Sequence, residues 1–445
     1  MKISRFVIVF EREDSCFLYN TGTQSFFRID KVDFQQIASV INKEKKIDEL
    51  PDDLLAFLKN NHCIDNDNEQ LSIDLRVKME YKKRMESFSN RTLSLVIAPT
   101  LACNFACPYC YESNLPVSTM TEDVEDLIIR FIKSYEETCD DIELCWEGGE
   151  PLMAFETIRS VISKIETQSS IKIRKHLLVT NGYLLTPEVC SFFKDKNLDI
   201  AQITVDGSPA THNLSRIHKS GKPTYNTIIQ NIDMLTDMIP TCRVMVRTNI
   251  HNGNKEEYGK LYNELTERWK GKKVTITPAF VMDNENCKIS CCTPREKSKF
   301  YLNLQKNYGI DRFRRLPKLQ TGRCSATAEH SYIIDPKGDL YKCWNDIGKK
   351  DYCIGNVSDG VKNNNLIAKY VIGSDKYSDK TCIECTLFPI CDGGCNKQRI
   401  DNKECGTQYV LCPFDEEGIC DELYEYYKSR HHENRRICNT SAIND

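Results

Sequence analysis

The segment LSLVIAPTLACNFACPYC, residues 93–110, combines a strand signal with a set of metal-ligating side chains. Its first half is a short apolar run that ends at Pro99, a pattern typical of a buried strand. Cys103, Cys107 and Cys110 follow in a loop at the carboxyl end of that strand. Three thiolates this close can bind three irons of a 4Fe–4S cluster and leave the fourth iron without a protein ligand. A zinc loop or buried thiols are the alternatives, but a structural zinc site needs four ligands and no His or fourth Cys is nearby.

Residues 93–280 continue as an alternation of strand-like and amphipathic helical segments. The strand candidates are LSLVIAP, IELCWE, HLLVT, AQITV, RVMVRTNI and VTITPA. The helical candidates are DVEDLIIRFIKSYEE, FETIRSVISKIE, PEVCSFFKDK, TIIQNIDMLTDM and KEEYGKLYNELTERW. Six strand–helix alternations predict an α/β domain with a parallel sheet, curved or closed, and with helices outside. The active site of such a fold is expected at the carboxyl ends of the strands.

Composition limits the class of protein. A chain of 445 residues predicts two or three domains, and 40% apolar with 28% charged residues is typical of a soluble globular protein. The net charge of -4 argues against a general nucleic-acid binder. The sequence has neither an apolar run of membrane-spanning length nor a signal peptide, so we expect a cytoplasmic protein without membrane contact. In that compartment 23 cysteines indicate metal binding rather than disulfides.

Most of the remaining cysteine motifs lie in residues 323–445, a loop-rich region that ends in a helix-like segment. Seven of its cysteines form a series: Cys324, Cys343, Cys382, Cys385, Cys391, Cys395 and Cys412. Thiolate series of this kind hold iron–sulfur clusters or a pair of zinc ions. The same chain carries the loop at Cys103, which favours iron–sulfur chemistry over zinc.

The CxxxCxxC spacing resembles the radical S-adenosylmethionine (SAM) superfamily, and Trp146-Glu-Gly-Gly-Glu150-Pro at the second strand end resembles its GGE motif. The resemblance implies a partial (β/α)6 barrel. It also implies that a 4Fe–4S cluster reduces SAM to give methionine and a 5′-deoxyadenosyl radical. The residues that the resemblance assigns to SAM are Tyr109, Gly148, Gly149, Glu150, Asn181, Thr204 and Arg216. Glycines would let the backbone approach the methionyl amine, Glu150 would bind that amine, and Arg216 would bind the SAM carboxylate. No catalytic residue beyond the cluster is assigned.

The series in the last third resembles the SPASM domain, which holds two auxiliary 4Fe–4S clusters. The resemblance gives one cluster the four ligands Cys382, Cys385, Cys391 and Cys412. It gives the other cluster three ligands, Cys324, Cys343 and Cys395. A fourth cysteine often follows the first by six residues in this family, but here that position is His330. This second set is therefore open, His-ligated or completed by a substrate thiolate.

Residues 1–75 read as three strands and two helices, and they resemble the peptide-binding module of many maturases of ribosomally made peptides. An extended leader peptide could add a strand to its sheet, while a structural cap is the alternative. Residues 76–92 are predicted to be a charged linker, 281–322 a polar bridging region and 323–445 the SPASM domain.

The combined resemblance implies a radical SAM/SPASM enzyme that modifies a precursor peptide and receives electrons from flavodoxin or ferredoxin. A thioether cross-link is the first expectation, and a carbon–carbon cross-link is its nearest variant. Oxidation of Ser or Cys to formylglycine, as in anaerobic sulfatase maturation, ranks lower because Trp344 follows Cys343 where that family carries a catalytic Asp. A non-catalytic zinc or ferredoxin-like protein is the alternative from another class. Cys287, Cys291 and Cys292, in the bridging region, are left without a role.

Overall fold

A computed structural model describes residues 1–89, 91–283, 286–311, 316–322 and 324–436. The strands are β1 Lys2–Ile3, β2 Val7–Arg12, β3 Ser15–Asn20, β4 Ser25–Ile29, β5 Ile64–Asp65, β6 Thr92–Ile97, β7 Asp141–Trp146, β8 Lys172–Thr180, β9 Ile200–Thr204, β10 Arg243–Ile250, β11 Val274–Phe280, β12 Ser331–Ile334, β13 Asp339–Tyr341, β14 Gly355–Asn356 and β15 Gly360–Val361. The helices are α1 Lys31–Ile41, α2 Asp52–Asn60, α3 Gln70–Ser87, α4 Glu122–Lys133, α5 Phe155–Gln168, α6 Pro187–Asp195, α7 Pro209–Ser215, α8 Tyr225–Met238, α9 Tyr258–Arg268, α10 Pro294–Tyr308, α11 Asn364–Ala368, α12 Lys380–Ile383, α13 Asn396–Glu404 and α14 Glu416–Arg436.

The six strands predicted for the barrel form one parallel sheet in the spatial order β11-β10-β9-β8-β7-β6. Their helices cover its outer face, where apolar residues of the strands and helices form one large core. Helix α6 starts as its sequence predicts, with Thr186 accepting the N–H of Val189 and Pro187 in the first turn. This part of the fold is the α/β arrangement that the strand–helix alternation predicts, and it brings the six strand ends to one edge.

The C-terminal third extends this sheet instead of packing beside it. Strand β12 pairs in parallel with β6, with Tyr332 opposite Leu95, and β13, β14 and β15 continue in antiparallel fashion. The result is a ten-stranded sheet that joins the two regions through backbone hydrogen bonds. Because β6 leads into the cysteine loop, that loop and the C-terminal cysteines share one rigid support.

The N-terminal unit has its three-stranded antiparallel sheet, β2-β3-β4, buried on both faces. One face packs on α1 and α2 around Leu18 and Ile37. The other face, with Phe10 and Phe17, packs on α14 and on Leu387. This unit is therefore docked to the C-terminal region.

Two regions differ from the sequence prediction. Helix α3 runs without a break through residue 75, where a boundary between module and linker was expected, and it buries Met79, Lys83 and Ser87. The bridging region contains the regular helix α10, although its sequence has weak periodicity. Its ends are fixed by a Thr293–Glu296 capping box and by Gly309 in the left-handed conformation. Among the described residues, no helix is both long enough and apolar enough to cross a bilayer.

Candidate functional site

The loop with Cys103, Cys107 and Cys110 follows β6 and is clamped from two sides. Ala106 N–H donates to Ile217 O at 2.8 Å, and Lys219 N–H donates to Asn104 O at 2.9 Å. From the bridging region, Lys288 N–H donates to Pro108 O at 3.1 Å. These backbone bonds tie the loop to two other parts of the barrel mouth, so the three thiols are held in fixed positions.

The three thiols suit a cluster better than a single metal ion. Burial, together with the neighbouring thiols, raises the pKa of Cys103 to about 11 and that of Cys110 to about 12, so thiolates here need nearby positive charge. The Phe105 N–H donates to the Cys103 sulfur at 3.4 Å, a bond that stabilises cluster thiolates. Among the described residues, no three His, Cys, Asp or Glu side chains converge as around one ion. The ligands of a cubane bind separate irons, so they need not converge in that way.

The glycines of the GGE loop pack directly on the cysteine loop. A Cβ at Gly149 would lie 2.3 Å from Ala102 O, and one at Gly148 would lie 2.6 Å from Thr100 O. Gly148 also has a φ of 126°, a conformation that favours glycine. Gly149 N–H and Glu150 N–H donate to Thr100 O and Ala102 O at 3.2 and 2.8 Å. The sequence prediction explained these glycines by the approach of a ligand amine, whereas the structure shows that the adjacent backbone already requires them.

Glu150 is fully buried and links the second strand end to the third. Its carboxylate accepts the Thr180 hydroxyl at 2.7 Å, the Asn181 N–H at 2.7 Å and the Leu152 N–H at 3.1 Å. Burial raises its pKa, and these hydrogen bonds oppose that shift. The Asn181 side chain continues the link by donating to Asn104 Oδ1 at 2.7 Å, which reaches the cysteine loop.

Tyr109 and Arg216 meet around a buried carboxylate that was not among the predicted site residues. Tyr109 donates to Asp206, while Arg216 Nη1 and Asn249 Nδ2 contact the Tyr109 hydroxyl at 3.4 and 3.2 Å. The Arg216 guanidinium lies 5.3 Å from the centre of the Phe105 ring. Burial raises the pKa of Asp206, and the positive charge of Arg216 opposes the shift. The sequence feature that could have identified Asp206 as a site residue is its position just after the end of β9, in TVDG.

Several buried donors around these residues have no protein partner. Arg216 Nε and Asn104 Nδ2 are inaccessible and make no hydrogen bond. Such donors suit a small polar ligand with carboxylate and hydroxyl oxygens, which SAM carries. Thr204, the last residue of β9, is buried at the same edge of the sheet. The residues present therefore fit a bound SAM beside the cysteine loop.

A second acidic group lies at the same strand ends and was also missed. The Tyr111 hydroxyl donates to Glu147 at 3.1 Å. Burial raises the pKa of Glu147 well above its usual range, with Glu112 adding to the shift and Arg247 opposing it. Burial also raises the pKa of Glu112, to about 7. The sequence feature that could have identified Glu147 is its position directly before Gly148 and Gly149.

The seven C-terminal cysteines divide into two groups by their electrostatic effects on one another. Burial raises the pKa of Cys382 to about 11, and charge on Cys391, Cys412 and Cys385 adds to the shift. Burial raises the pKa of Cys343 too, with contributions from Asp346, Cys395 and Cys324. Backbone N–H groups donate to sulfur within the first group: Leu387 to Cys385 at 3.4 Å and Gly393 to Cys391 at 3.3 Å. Both groups have the donor chemistry of an iron–sulfur site.

His330 and Asp346 have other partners. His330 Nδ1 is 3.5 Å from the Cys139 sulfur, and its ring packs edge-on against Tyr135 at 5.1 Å. Asp346 is fully buried and accepts the Tyr370 hydroxyl, with Lys397 at 3.5 Å. His330 therefore contacts Cys139 and not the C-terminal thiols in these interactions. Asp346 lies close to Cys343, since its N–H donates to Cys343 O at 2.9 Å, but its carboxylate is taken up by Tyr370 and Lys397.

The cysteines of the bridging region form a separate group. The sulfurs of Cys287 and Cys291 are 3.8 Å apart, and Cys292 is buried beside Asn252, with its sulfur 3.5 Å from Oδ1. The segment touches the cluster loop through Asn286 Nδ2, which donates to Tyr111 O at 3.1 Å.

Residues 97–265, from the end of β6 into α9, match the family model of the Radical SAM superfamily. This part of the chain is a radical SAM domain. Enzymes of this superfamily use a 4Fe–4S cluster and SAM.

Three known proteins extend the comparison. The "Serine-type anaerobic sulfatase-maturating enzyme" of Bacteroides thetaiotaomicron is 23% identical over 76% of this chain and 89% of its own. The structure of native anSMEcpe with bound AdoMet and Cp18Cys peptide aligns over 77% of this chain and 98% of that one, with a TM-score of 0.60 and 19% identity. Streptococcus suis SuiB bound to precursor peptide SuiA aligns over 94% of this chain and 99% of that one, with a TM-score of 0.51 and 14% identity. At these identities the two structures establish the fold.

Proposed function

We propose that this radical SAM enzyme forms a thioether cross-link in a ribosomally made precursor peptide. Bound at the barrel mouth, the cluster and SAM supply removal of a hydrogen atom from an unreactive carbon. The residues of this chain hold and orient both: Cys103, Cys107 and Cys110 bind the cluster, while Arg216 and Glu150 bind the charged end of SAM.

The observation that carries the thioether is the thiol group of Cys324, Cys343 and Cys395. It supplies three thiolates, one fewer than a 4Fe–4S cluster accepts. The position of the fourth cysteine is His330, which is engaged with Cys139 and Tyr135. A thiolate from the substrate would complete the set and hold a peptide cysteine ready for bond formation. Cys382, Cys385, Cys391 and Cys412 supply a complete set for the other auxiliary cluster.

Support for a peptide substrate comes from the N-terminal unit. The alignment with SuiB covers 94% of the chain and so includes most of this unit, since the uncovered part is much shorter than residues 1–75. Among the described residues, strands β2 and β4 each pair only with β3. Half of the residues of β2 are buried, whereas no residue of β4 is buried. We infer that a leader peptide adds as a strand along β4.

Sulfatase-type oxidation has less support. Trp344 follows Cys343, and the nearest acid, Asp346, is used by Tyr370 and Lys397 inside the C-terminal region. The relative from Bacteroides thetaiotaomicron belongs to that type, but in this chain the acid nearest to Cys343 is already hydrogen-bonded to Tyr370 and paired with Lys397.

The test is anaerobic reaction of the reconstituted enzyme with a cysteine-containing precursor peptide that carries its leader. A thioether removes two hydrogen atoms from the peptide and leaves one cysteine that can no longer be alkylated. A carbon–carbon link removes two hydrogens but keeps every thiol alkylatable, and formylglycine shows as an aldehyde. Either of the latter two products contradicts the proposal. The variant with Cys103, Cys107 and Cys110 all replaced by Ala is the control, and it should make no product and no 5′-deoxyadenosine.

Hydrogen exchange tests the leader site separately. Binding of the leader peptide should slow exchange of the β4 amides, because a new strand would pair with that edge. A scrambled leader is the control. Protection confined to β2, or absent from the sheet, would place leader recognition elsewhere.

A further inference from the structure

Buried positive charge is concentrated around the C-terminal cysteines. Among the described residues, five basic residues are buried, with at most 5% exposed. They are Lys83, Lys342, Lys376, Lys397 and Arg399. Electrostatic influence from one or more of the cysteines of the two thiol groups reaches every one of them. A buried cation is costly unless an opposite charge compensates it.

Lys376 is surrounded by backbone carbonyls and by the rings of Phe388 and Tyr377, whose centres lie 4.3 and 5.4 Å from its Nζ. Its Nζ donates to Gln320 O at 2.6 Å, Phe388 O at 2.7 Å and Cys391 O at 2.8 Å. It forms no ion pair within the described part of the chain, whereas Lys397 is paired with Asp346 and Asp401. Carbonyl dipoles satisfy the three N–H bonds of Lys376, but they do not neutralise its charge.

Arg399 touches one of the thiols directly. Its Nη2 lies 3.5 Å from the Cys382 sulfur and donates to Gly393 O at 2.6 Å. Its Nη1 pairs with Asp379, and its Nε is buried without a hydrogen-bond partner. The guanidinium therefore lies against a thiol of the four-thiol group, and Asp379 together with the charge of Asp375 partly neutralises it.

Four thiolates around an oxidised 4Fe–4S core leave a net negative charge, and reduction adds one further electron to it. Net charge and hydrogen bonds to sulfur are among the factors that set the reduction potential of such a cluster. Two buried cations beside the four-thiol group stabilise the reduced form more than the oxidised form, because the reduced form is the more negative. Solvent and salt screen this electrostatic stabilisation only weakly, because the two cations lie in the low-dielectric interior.

We propose that Lys376 and Arg399 are positioning residues that raise the reduction potential of the auxiliary cluster bound by Cys382, Cys385, Cys391 and Cys412. The pair thereby makes this cluster an electron acceptor within the enzyme. The inference rests on the proposed cluster assignment and adds which side chains control its redox behaviour.

The test is an anaerobic redox titration followed by EPR. It uses the full chain with Cys103, Cys107 and Cys110 replaced by Ala, so that only the auxiliary clusters give a signal. Arg399→Gln and Lys376→Met each remove one buried charge, and Arg399→Lys keeps it. Lys403→Gln is the matched control, since it removes the same charge from an exposed position one turn further along α13.

We expect Arg399→Gln and Lys376→Met each to lower the equilibrium constant for reducing one cluster at least tenfold, which is about 59 mV for one electron. The reduction potentials of Arg399→Lys and Lys403→Gln should stay close to that of the parent protein. If both charge-removing variants keep their iron and their potentials match the parent, the inference is wrong and the cluster assignment stands.

Failure of the underlying assignment looks different. A parent protein that binds no iron at the C-terminal cysteines, or that binds zinc there, contradicts the proposed function itself. Loss of iron in both charge-removing variants, with Arg399→Lys fully loaded, would show that the cations are needed to retain the cluster. That result would also overturn a role in setting its potential.

Discussion

Arg216 lies between a thiol of the cluster loop and the buried carboxylate of Asp206. Its guanidinium contacts the Tyr109 hydroxyl and stacks on Phe105, so its position is fixed without a ligand. A fixed guanidinium binds a carboxylate at low entropic cost, because little side-chain freedom is lost on binding. The structure thus supplies a physical reason for the SAM contact that the sequence resemblance implies.

Replacing Arg216 by Ala should weaken SAM binding by about 1.5–3 kcal/mol, which is roughly 10- to 150-fold in affinity. The loss comes from one charge-assisted contact. Equilibrium binding of SAM to the anaerobic, iron-loaded variant measures it. Arg159→Ala, on the outer helix α5, is the control and should leave affinity unchanged. Wild-type affinity in Arg216→Ala would exclude this residue from the SAM site.

His212 is fully buried, and burial first, then the charge of Arg216, lowers its pKa to about 3. Above pH 6.5 the ring is neutral in both folded and unfolded chains, so stability is unaffected there. As the pH falls from 6.5 toward 3, His212 is protonated in the unfolded chain but stays neutral in the folded chain. The free energy of unfolding therefore decreases. By pH 5 the loss is about 2 kcal/mol.

His212→Asn should therefore reduce the acid sensitivity of the fold while keeping an acceptor for the Asp206 N–H, which His212 Nδ1 accepts at 3.2 Å. Urea unfolding of the iron-free chain at pH 7 and pH 5 measures how much the free energy of unfolding changes with pH. The same substitution at exposed His62 is the control. Equal slopes for His212→Asn and wild type would show that another group dominates.

At the scale of elements, the GGE loop and the cysteine loop approach each other closely through their backbones. Gly149→Ala would place a methyl group 2.3 Å from a carbonyl oxygen that has no room to move. We expect destabilisation of about 1–3 kcal/mol and loss of iron down to the level of the triple-cysteine variant. Iron content after reconstitution measures this, with Gly373→Ala as control because its Cβ would meet only ordinary contacts. A fully loaded Gly149→Ala would mean that the two loops can separate.

Local patterns predicted most of the elements. The six barrel strands have β-branched and apolar runs between amphipathic segments, and all six form. Helix α10 was not predicted because its apolar periodicity is weak. Its ends nevertheless carry typical helix signals, Thr-Pro at the start and Gly after the last residue. The continuity of α3 was missed because a charged surface suggests a linker, while its buried positions lie one turn apart at Met79 and Lys83.

The candidate site was predicted less completely than the fold. The cysteines and the glycine motif have distinctive spacing, and they lie where strands end. Asp206 and Asn249 become site residues only when β9 and β10 lie side by side and Asn249 N–H donates to Asp206 at 2.8 Å. Pairing between distant strands, such as β6 with β12, leaves no trace in local composition, so it could not be anticipated.

At the scale of the whole molecule, the N-terminal unit covers apolar surface of the C-terminal region. Phe10 and Phe17 pack on Leu387 and Leu423, and Arg12 pairs with Asp421 at 2.9 Å. A chain that starts at residue 89 should expose this surface and aggregate. Size-exclusion chromatography measures the outcome. Co-expression of residues 1–88 as a separate chain should restore a soluble complex, and a soluble, iron-loaded 89–445 chain by itself would contradict the expectation.

The hydrogen bonds between β6 and β12 also limit which parts of this enzyme can be exchanged with the corresponding parts of its relatives. The strand that begins the barrel, β6, pairs with one that follows more than 230 residues later, so this edge of the barrel stays open until β12 has been synthesised. Exchanging C-terminal regions between relatives would therefore exchange part of the barrel wall. Diversification within such enzymes is expected to proceed by substitution in the loops at the strand ends, since neither half can be inherited as an independent piece.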